Sequence, residues 1–331
     1  MTRLVLNKRP EPSGGQPVSW LQALPPNLRE LTVRSVGPMF YELEEVRLRI
    51  GKPILYRIGL QEYTADLNGR PSTDLSRGYR VNRQDLDRAL QLLSQSSFYA
   101  WEEELRNGFI TIPGGHRVGI TGRGVLDKGQ IRTLKEISGL NYRISREITG
   151  CSAHVLPYLI KGEKVLHSLI VSPPQCGKTT LLRDLIRQLS NGSPSLAWSG
   201  VNVGVVDERS ELAGMYLGEP QYDLGLRTDI LDACPKAEGM IMLIRSMSPR
   251  VIATDEIGRK EDIEAINQAL QAGVAVITTV HGSSYEEIAQ RPVLSELLNW
   301  KFFDRLVFLS RRRGPGTLET VLNGKTMERV R

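Results

Sequence analysis

Two patterns of apolar and polar positions divide this chain. In the first, apolar residues alternate with arginines from Val46 onward in the run Leu43 to Ile50, and predict a strand with one buried face. Gly51-Lys52-Pro53 then predicts a turn, and Ile54 to Ile58 a second strand. Leu86, Ala89, Leu90 and Leu93 recur at helical spacing, so Gln84 to Ser94 reads as a helix. A further helix is predicted from Ser97 to Asn107, stopped by Gly108. Phe109 to Ile112, the turn Pro113-Gly114-Gly115 and Arg117 to Thr121 read as a β-hairpin, with Leu140 to Ile144 as one more strand. Upstream, Trp20 to Tyr41 mixes apolar and polar residues around a Pro25-Pro26 break. This half reads as a small α+β domain.

The second pattern begins near residue 148. Short apolar runs alternate with helical stretches, as βαβ units around a parallel sheet require. Strands are predicted at Val165 to Val171, Val201 to Val206, Val251 to Thr254, Val274 to Val280 and Leu306 to Leu309. The helix Thr179 to Leu189 carries Leu181, Leu182, Leu185, Ile186 and Leu189 on one face, and the helix Glu261 to Ala272 is stopped by Gly273. Ser284 and Glu287 have capping-box spacing at the start of another. The expected organisation is a tail over residues 1–17, a small α+β domain over 18–147, and a P-loop α/β domain with a parallel sheet over 148–331.

Composition narrows the class. With 331 residues, 40% of them hydrophobic, the chain has apolar mass for about two cores. No apolar run approaches the roughly 20 residues that a bilayer crossing needs. Met1 to Pro17 is polar with Pro and Gly, lacks an apolar signal core, and reads as a disordered tail. A cytoplasmic chain is expected, with any membrane contact peripheral. Cys151, Cys176 and Cys234 are far apart and odd in number, which fits a reducing compartment and no disulfide framework. His116, His154, His167 and His281 lack metal-site spacing, so no structural zinc is expected. The net charge of +6 favours anionic partners and does not choose among nucleotide, nucleic acid and acidic lipid.

The candidate chemistry starts where Val165 to Val171 runs into Ser172-Pro173-Pro174-Gln175-Cys176-Gly177-Lys178-Thr179-Thr180. This is the phosphate-loop pattern between a strand and a helix. Backbone N–H groups and the positive helix end can cradle a phosphate there. Lys178 can bridge β- and γ-phosphates of ATP, and the Thr179 hydroxyl is a suitable ligand for Mg²⁺. Ser172 stands where the pattern has its first glycine. Cys176 is read as a small filler residue rather than a redox switch.

Two further apolar runs end in acids: Val251 to Thr254 in Asp255-Glu256, and Val203 to Val206 in Asp207-Glu208. Strand tips at the carboxyl edge of a parallel sheet are where ligands bind. Asp255 is expected in the Mg²⁺ shell, with Asp207 as a second candidate metal ligand. Either Glu256 or Glu208 can orient the attacking water, and the sequence does not separate them. His281, at the end of Val276 to Val280, is a candidate sensor of hydrolysis, level with its reading as a cap or buried hydrogen-bonded residue. Among the arginines of the first half, Arg143 and Arg146 just precede the expected boundary and are the favoured arginine fingers. Arg311-Arg312-Arg313 reads as a solvated turn, or in a sharper reading as an anionic contact surface.

These segments together carry a resemblance. Glu44 to Pro53, Ile112 to Gly119, Pro173 to Asp184, Val205 to Gly214, Thr254 to Arg259 and Leu309 to Gly316 resemble the stage III sporulation protein AA family, over nearly the whole chain after the tail. The resemblance implies kinship with secretion and pilus motor ATPases. It implies a RecA/AAA-like fold, a hexameric ring of identical subunits at the cytoplasmic face of a membrane, and channel proteins between mother cell and forespore as partners. In such motors Asp207 and Glu208 match an acid box, Asp255 and Glu256 the second nucleotide motif, and His281 a histidine box. Two rival readings stay open: a nucleic-acid-handling P-loop ATPase, for which no aromatic-and-basic stacking segment is found, and a nucleotide switch that does not hydrolyse.

Overall fold

The computed structural model describes residues 19–94 and 105–330. The expected tail and most of the helix expected at Ser97 to Asn107 lie outside them. The chain divides into two compact units, Met1–Ser145 and Arg146–Arg331.

The first unit is built on seven strands: β1 (Leu43–Arg49), β2 (Leu55–Ile58), β3 (Gln61–Ala65), β4 (Pro71–Ser72), β5 (Phe109–Ile112), β6 (His116–Asp127) and β7 (Gln130–Arg143). They lie in the order β4-β3-β2-β1-β7-β6-β5, and every pairing is antiparallel. Val46 and Leu48 turn inward between Arg47 and Arg49, so the alternation in β1 fixes its buried face. Helices α1 (Ser19–Gln22), α2 (Pro26–Val36) and α3 (Arg83–Ser94) supply Trp20, Leu28, Leu86 and Leu93 to the same core. Pro26 opens α2, where its missing N–H costs nothing. The β6–β7 hairpin is much longer than the expected strands at Arg117 to Thr121 and Leu140 to Ile144. Residues 121–136 are unburied on both faces and so carry no apolar alternation to announce a strand.

The second unit opens with α4 (Leu156–Leu159) and a small hairpin of β8 (Ile160–Lys161) and β9 (Lys164–Val165). Its main sheet comprises β10 (Ser168–Ser172), β11 (Val203–Asp207), β12 (Thr228–Asp232), β13 (Val251–Thr254), β14 (Ala275–His281), β15 (Arg305–Ser310) and β16 (Thr317–Asn323). The order is β12-β11-β13-β14-β10-β15-β16, parallel except for the β15–β16 pair. The single strand expected over Val165 to Val171 is two, β9 and β10. His167 lies between them, where its N–H donates to Asp304 Oδ2 at 3.1 Å.

Strands β10, β11 and β13 are buried along their whole length, as a sheet covered on both faces demands. Helix α5 (Lys178–Asn191) lays Leu181, Leu182, Leu185, Ile186 and Leu189 on one face. Helices α6 (Lys236–Met247), α7 (Lys260–Gln271), α8 (Tyr285–Ala289) and α9 (Pro292–Asn299) cover the other, with Met240, Leu243, Ile266 and Leu297 inward. The result is a helix–sheet–helix sandwich whose parallel strands end at one edge. At the N-terminus of α8, Ser284 Oγ accepts from the Glu287 N–H at 3.3 Å, while the Glu287 carboxylate reaches back to Ser283 instead of Ser284.

Candidate functional site

The loop from Pro173 to Gly177 joins the end of β10 to the start of α5. Gly177 takes φ 82°, the left-handed region that glycine occupies without strain, and Gln175 sits there too at φ 58°. A Cβ on Gly177 would stand 3.3 Å from Pro315 Cβ and 3.4 Å from the Gly316 nitrogen. Gly316 N–H donates to the Cys176 carbonyl at 2.7 Å. The turn between β15 and β16 therefore braces the loop from outside. Ser172 is fully buried, and neither it nor Pro173 adopts a positive φ. A side chain is tolerated there because the left-handed turns come later in the loop. The first N–H groups of α5 have no intrahelical acceptors and face the loop mouth, an anion-binding arrangement.

Three expected residues converge. Strand order sets the tip of β14 beside β10, with β13 next to it, so His281 and Glu256 fall beside the start of α5. Lys178 Nζ lies 3.0 Å from Glu256 Oε1 and 2.5 Å from His281 Nδ1. His281 Nε2 lies 2.6 Å from the same Glu256 oxygen. Lys178 is only 6% exposed. Burial lowers its pKa, and the Glu256 carboxylate works against that shift without reversing it.

The remaining acids separate by role. Asp207 is wholly buried, and its carboxylate accepts the Glu211, Leu212 and Ala213 N–H groups at 2.8, 2.9 and 2.8 Å. Both oxygens accept hydrogen bonds that shape the loop after β11. Burial, aided by Asp232 and Asp255, raises its pKa to about 6, although two of those backbone N–H groups pull the other way. Glu208 contacts Lys236 Nζ and lies 3.2 Å from Arg259 Nη1. Burial raises its pKa, but these cations outweigh it and the net shift is downward. Asp255 is buried, and burial raises its pKa. Its Oδ1 accepts no hydrogen bond and meets Lys236 only as an ion pair, at 3.4 Å.

Asp255 and Thr179 fit a divalent cation. One offers a buried carboxylate oxygen without a hydrogen-bond donor, the other a half-buried hydroxyl in the first turn of α5. Pro173, Pro174, Gln175 and Cys176 form the loop, and Thr180 stands in the same first turn, its carbonyl 3.7 Å from Cys151 Sγ. Arg143 ends β7 in the first unit. Arg146 opens the second, where its carbonyl accepts from Arg183 Nη1 at 3.4 Å.

Lys236 had no motif to mark it, and Arg259 and Arg183, though inside segments that carry the resemblance, were not singled out there. Arg183 is 6% exposed, donates to the Leu212 and Glu211 carbonyls at 2.8 Å each, and stacks 3.7 Å over the Tyr222 ring. It ties α5 to the loop that Asp207 shapes. Helical spacing sets Arg183 with Asp184 and Arg187 rather than with Leu182, Leu185 and Leu189, so the helix pattern reads it as a surface residue.

A parallel sheet with a strand–loop–helix phosphate motif at its carboxyl edge, and acids on the neighbouring strand tips, defines a P-loop NTPase fold. The family described as "Sporulation stage III, protein AA" matches residues 19–329, and the chain belongs to it. Stage III sporulation protein AA of Bacillus subtilis (strain 168) is 44% identical over 301 residues, covering 91% of this chain and 93% of its own. Among solved structures, the Yersinia pseudotuberculosis ATPase DotB superposes with a TM-score of 0.56 over 98% of this chain and 85% of its own, at 14% identity. Legionella pneumophila DotB gives 0.53 over 90% and 77%, at 17%. At such identities the likeness establishes the fold alone. Among the described residues no helix is long and apolar enough to cross a membrane.

Proposed function

We propose that the second unit binds Mg-ATP on the phosphate loop and hydrolyses it, and that the chain works as a ring-forming motor of a sporulation assembly. The observation that carries this reading is the Lys178–Glu256–His281 cluster beneath the loop. Nucleotide phosphates offer Lys178 a more highly charged partner than one carboxylate. Its transfer to them frees Glu256 beside His281. Glu256 then orients a water and takes its proton as the water oxygen bonds to the γ-phosphorus. The bond to the β–γ bridging oxygen breaks, leaving ADP and phosphate. His281, on the same carboxylate, couples that event to β14 and to Arg291, which donates to the His281 carbonyl at 2.6 Å. Mg²⁺, held by Thr179 and Asp255, would supply charge neutralisation on the β- and γ-oxygens. Glu208, already neutralised by two cations, is the weaker candidate base.

A hexameric ring, channel proteins of the sporulation complex as partners, and a peripheral place on the cytoplasmic membrane face belong to the same reading. Membership of the sporulation family and the fold shared with DotB ATPases support it. Arg143 and Arg146 are the candidate fingers toward a neighbouring subunit's γ-phosphate. The test is ATPase rate against protein concentration, with mass determined on the same samples, for the unsubstituted chain and Lys178→Ala. A Lys178-dependent rate that climbs as oligomers form supports the motor. ATP bound without turnover at any concentration refutes hydrolysis by the chain alone.

A further inference from the structure

Lys236 is the first residue of α6, and its ammonium is buried between two acids carried by different strands, Glu208 after β11 and Asp255 after β13. Its position runs against local preference. A helix N-terminus carries positive partial charge and disfavours a cation, and a buried ammonium needs a compensating partner. Packing drives it inward nonetheless. Gly239, in the first turns of the same helix, lies so close to β11 that a Cβ there would stand 2.7 Å from Val206 Cγ1. The missing side chain lets the start of α6 press against the strand tip. Strands β11 and β13 are adjacent, with Val206 opposite Thr254, so the acids that follow them would repel each other without a cation between them.

We propose that Lys236 is a resident counter-cation that holds Glu208 and Asp255 together and competes with the nucleotide's divalent metal ion for Asp255. This rests on the nucleotide-site reading above. Lys236 is then a positioning residue that sets metal affinity. When the metal arrives, Asp255 gives up its 3.4 Å contact, and Lys236 stays with Glu208, which it touches more closely. The site thereby avoids an uncompensated buried carboxylate at Asp255 before the metal binds, at the expense of binding the metal less tightly than the acids alone would.

The experiment titrates Mn²⁺ into the full chain in the presence of ADP and follows the loss of the free-ion electron paramagnetic resonance signal. ADP binding is measured separately by calorimetry. Even with water-like screening, a unit charge about 6 Å from a divalent ion changes its affinity about tenfold. Lys236→Met is therefore expected to bind Mn²⁺ about tenfold tighter. Glu208→Gln, which leaves Lys236 to Asp255 alone, is expected to bind it about tenfold more weakly. A merely structural lysine would not move affinity in opposite directions in the two variants. Unchanged Mn²⁺ affinity in natively melting variants, or a shift in the same direction in both, overturns the role of Lys236 while ADP binding stands. If Lys236→Met does not fold, Lys236→Gln takes its place: tighter metal binding upholds the proposal and unchanged binding overturns it. Absence of ADP binding by the unsubstituted chain overturns the nucleotide site itself, and this proposal with it.

Discussion

Replacing Asp207 with asparagine tests how this fold handles a buried carboxyl group. Burial pushes the Asp207 pKa up to about 6 from an ordinary 3.8. The folded state thus holds this proton more tightly than the unfolded chain does. The stability it contributes is fully present below pH 4 and is lost as pH rises through 6. The interval between those values corresponds to about 3 kcal/mol. Asparagine is nearly isosteric and cannot ionise, so it lacks this dependence. Both oxygens of Asp207 accept from these N–H groups, whereas the amide introduced by Asp207→Asn accepts at its oxygen alone and loses at least one bond at every pH. The variant should therefore be less stable than the unsubstituted chain near pH 4, by about 1–3 kcal/mol. By pH 7.5 the variant should have gained about 3 kcal/mol relative to the unsubstituted chain. Urea unfolding of both proteins at pH 4, 5, 6 and 7.5, followed by circular dichroism, measures the difference directly. A difference that stays constant, or runs the other way, would mean that the backbone N–H groups outweigh burial and hold the carboxyl ionised.

Other outcomes follow from the same geometry. Lys178→Ala should abolish ATP turnover and weaken ADP binding about 10- to 100-fold, the worth of a charged hydrogen bond to phosphate, as read by calorimetry. Glu256→Gln should retain ADP binding while turnover falls about 10²- to 10⁴-fold; a smaller loss would move the base to Glu208. Gly177→Ala forces a side chain into the left-handed region against Pro315, and should lower stability by about 1–3 kcal/mol in thermal melts and impair ADP binding. Of Arg143 and Arg146, the one that acts as a finger should lose about 10³-fold or more in turnover when changed to alanine, with ADP affinity unaltered. If neither variant changes turnover, both leave the proposal.

The phosphate loop was legible because its chemistry is local. A strand, a short loop, Gly177-Lys178-Thr179 and a helix with Leu181, Leu185 and Leu189 on one face are contiguous in the chain. The parallel sheet was legible for a related reason, since strands buried on both faces read as unbroken apolar runs. What escaped depends on residues far apart. Nothing near Lys236 distinguishes it from a surface lysine until β11 and β13 bring Glu208 and Asp255 to it. Asp207 and Glu208 are neighbours in an acidic pair, yet one turns inward to backbone N–H groups and the other toward cations. Edge strand β12 is half-buried throughout and has no apolar run, and α6 was masked by a glycine in its early turns. The outer β6–β7 hairpin is held by backbone pairing where side-chain periodicity is silent.

Among the described residues, strand β10, which feeds the phosphate loop, pairs with β14 and β15, and the turn that braces the loop lies beyond β15. All of these partners leave the ribosome after most of the unit has been synthesised. The nascent chain therefore carries an apolar strand with two open edges through much of its translation, a state prone to wrong pairing. The binding loop gains its brace only when β15 and the turn after it arrive, so nucleotide binding should report their synthesis, and chaperone dependence should be greatest for fragments ending before β14.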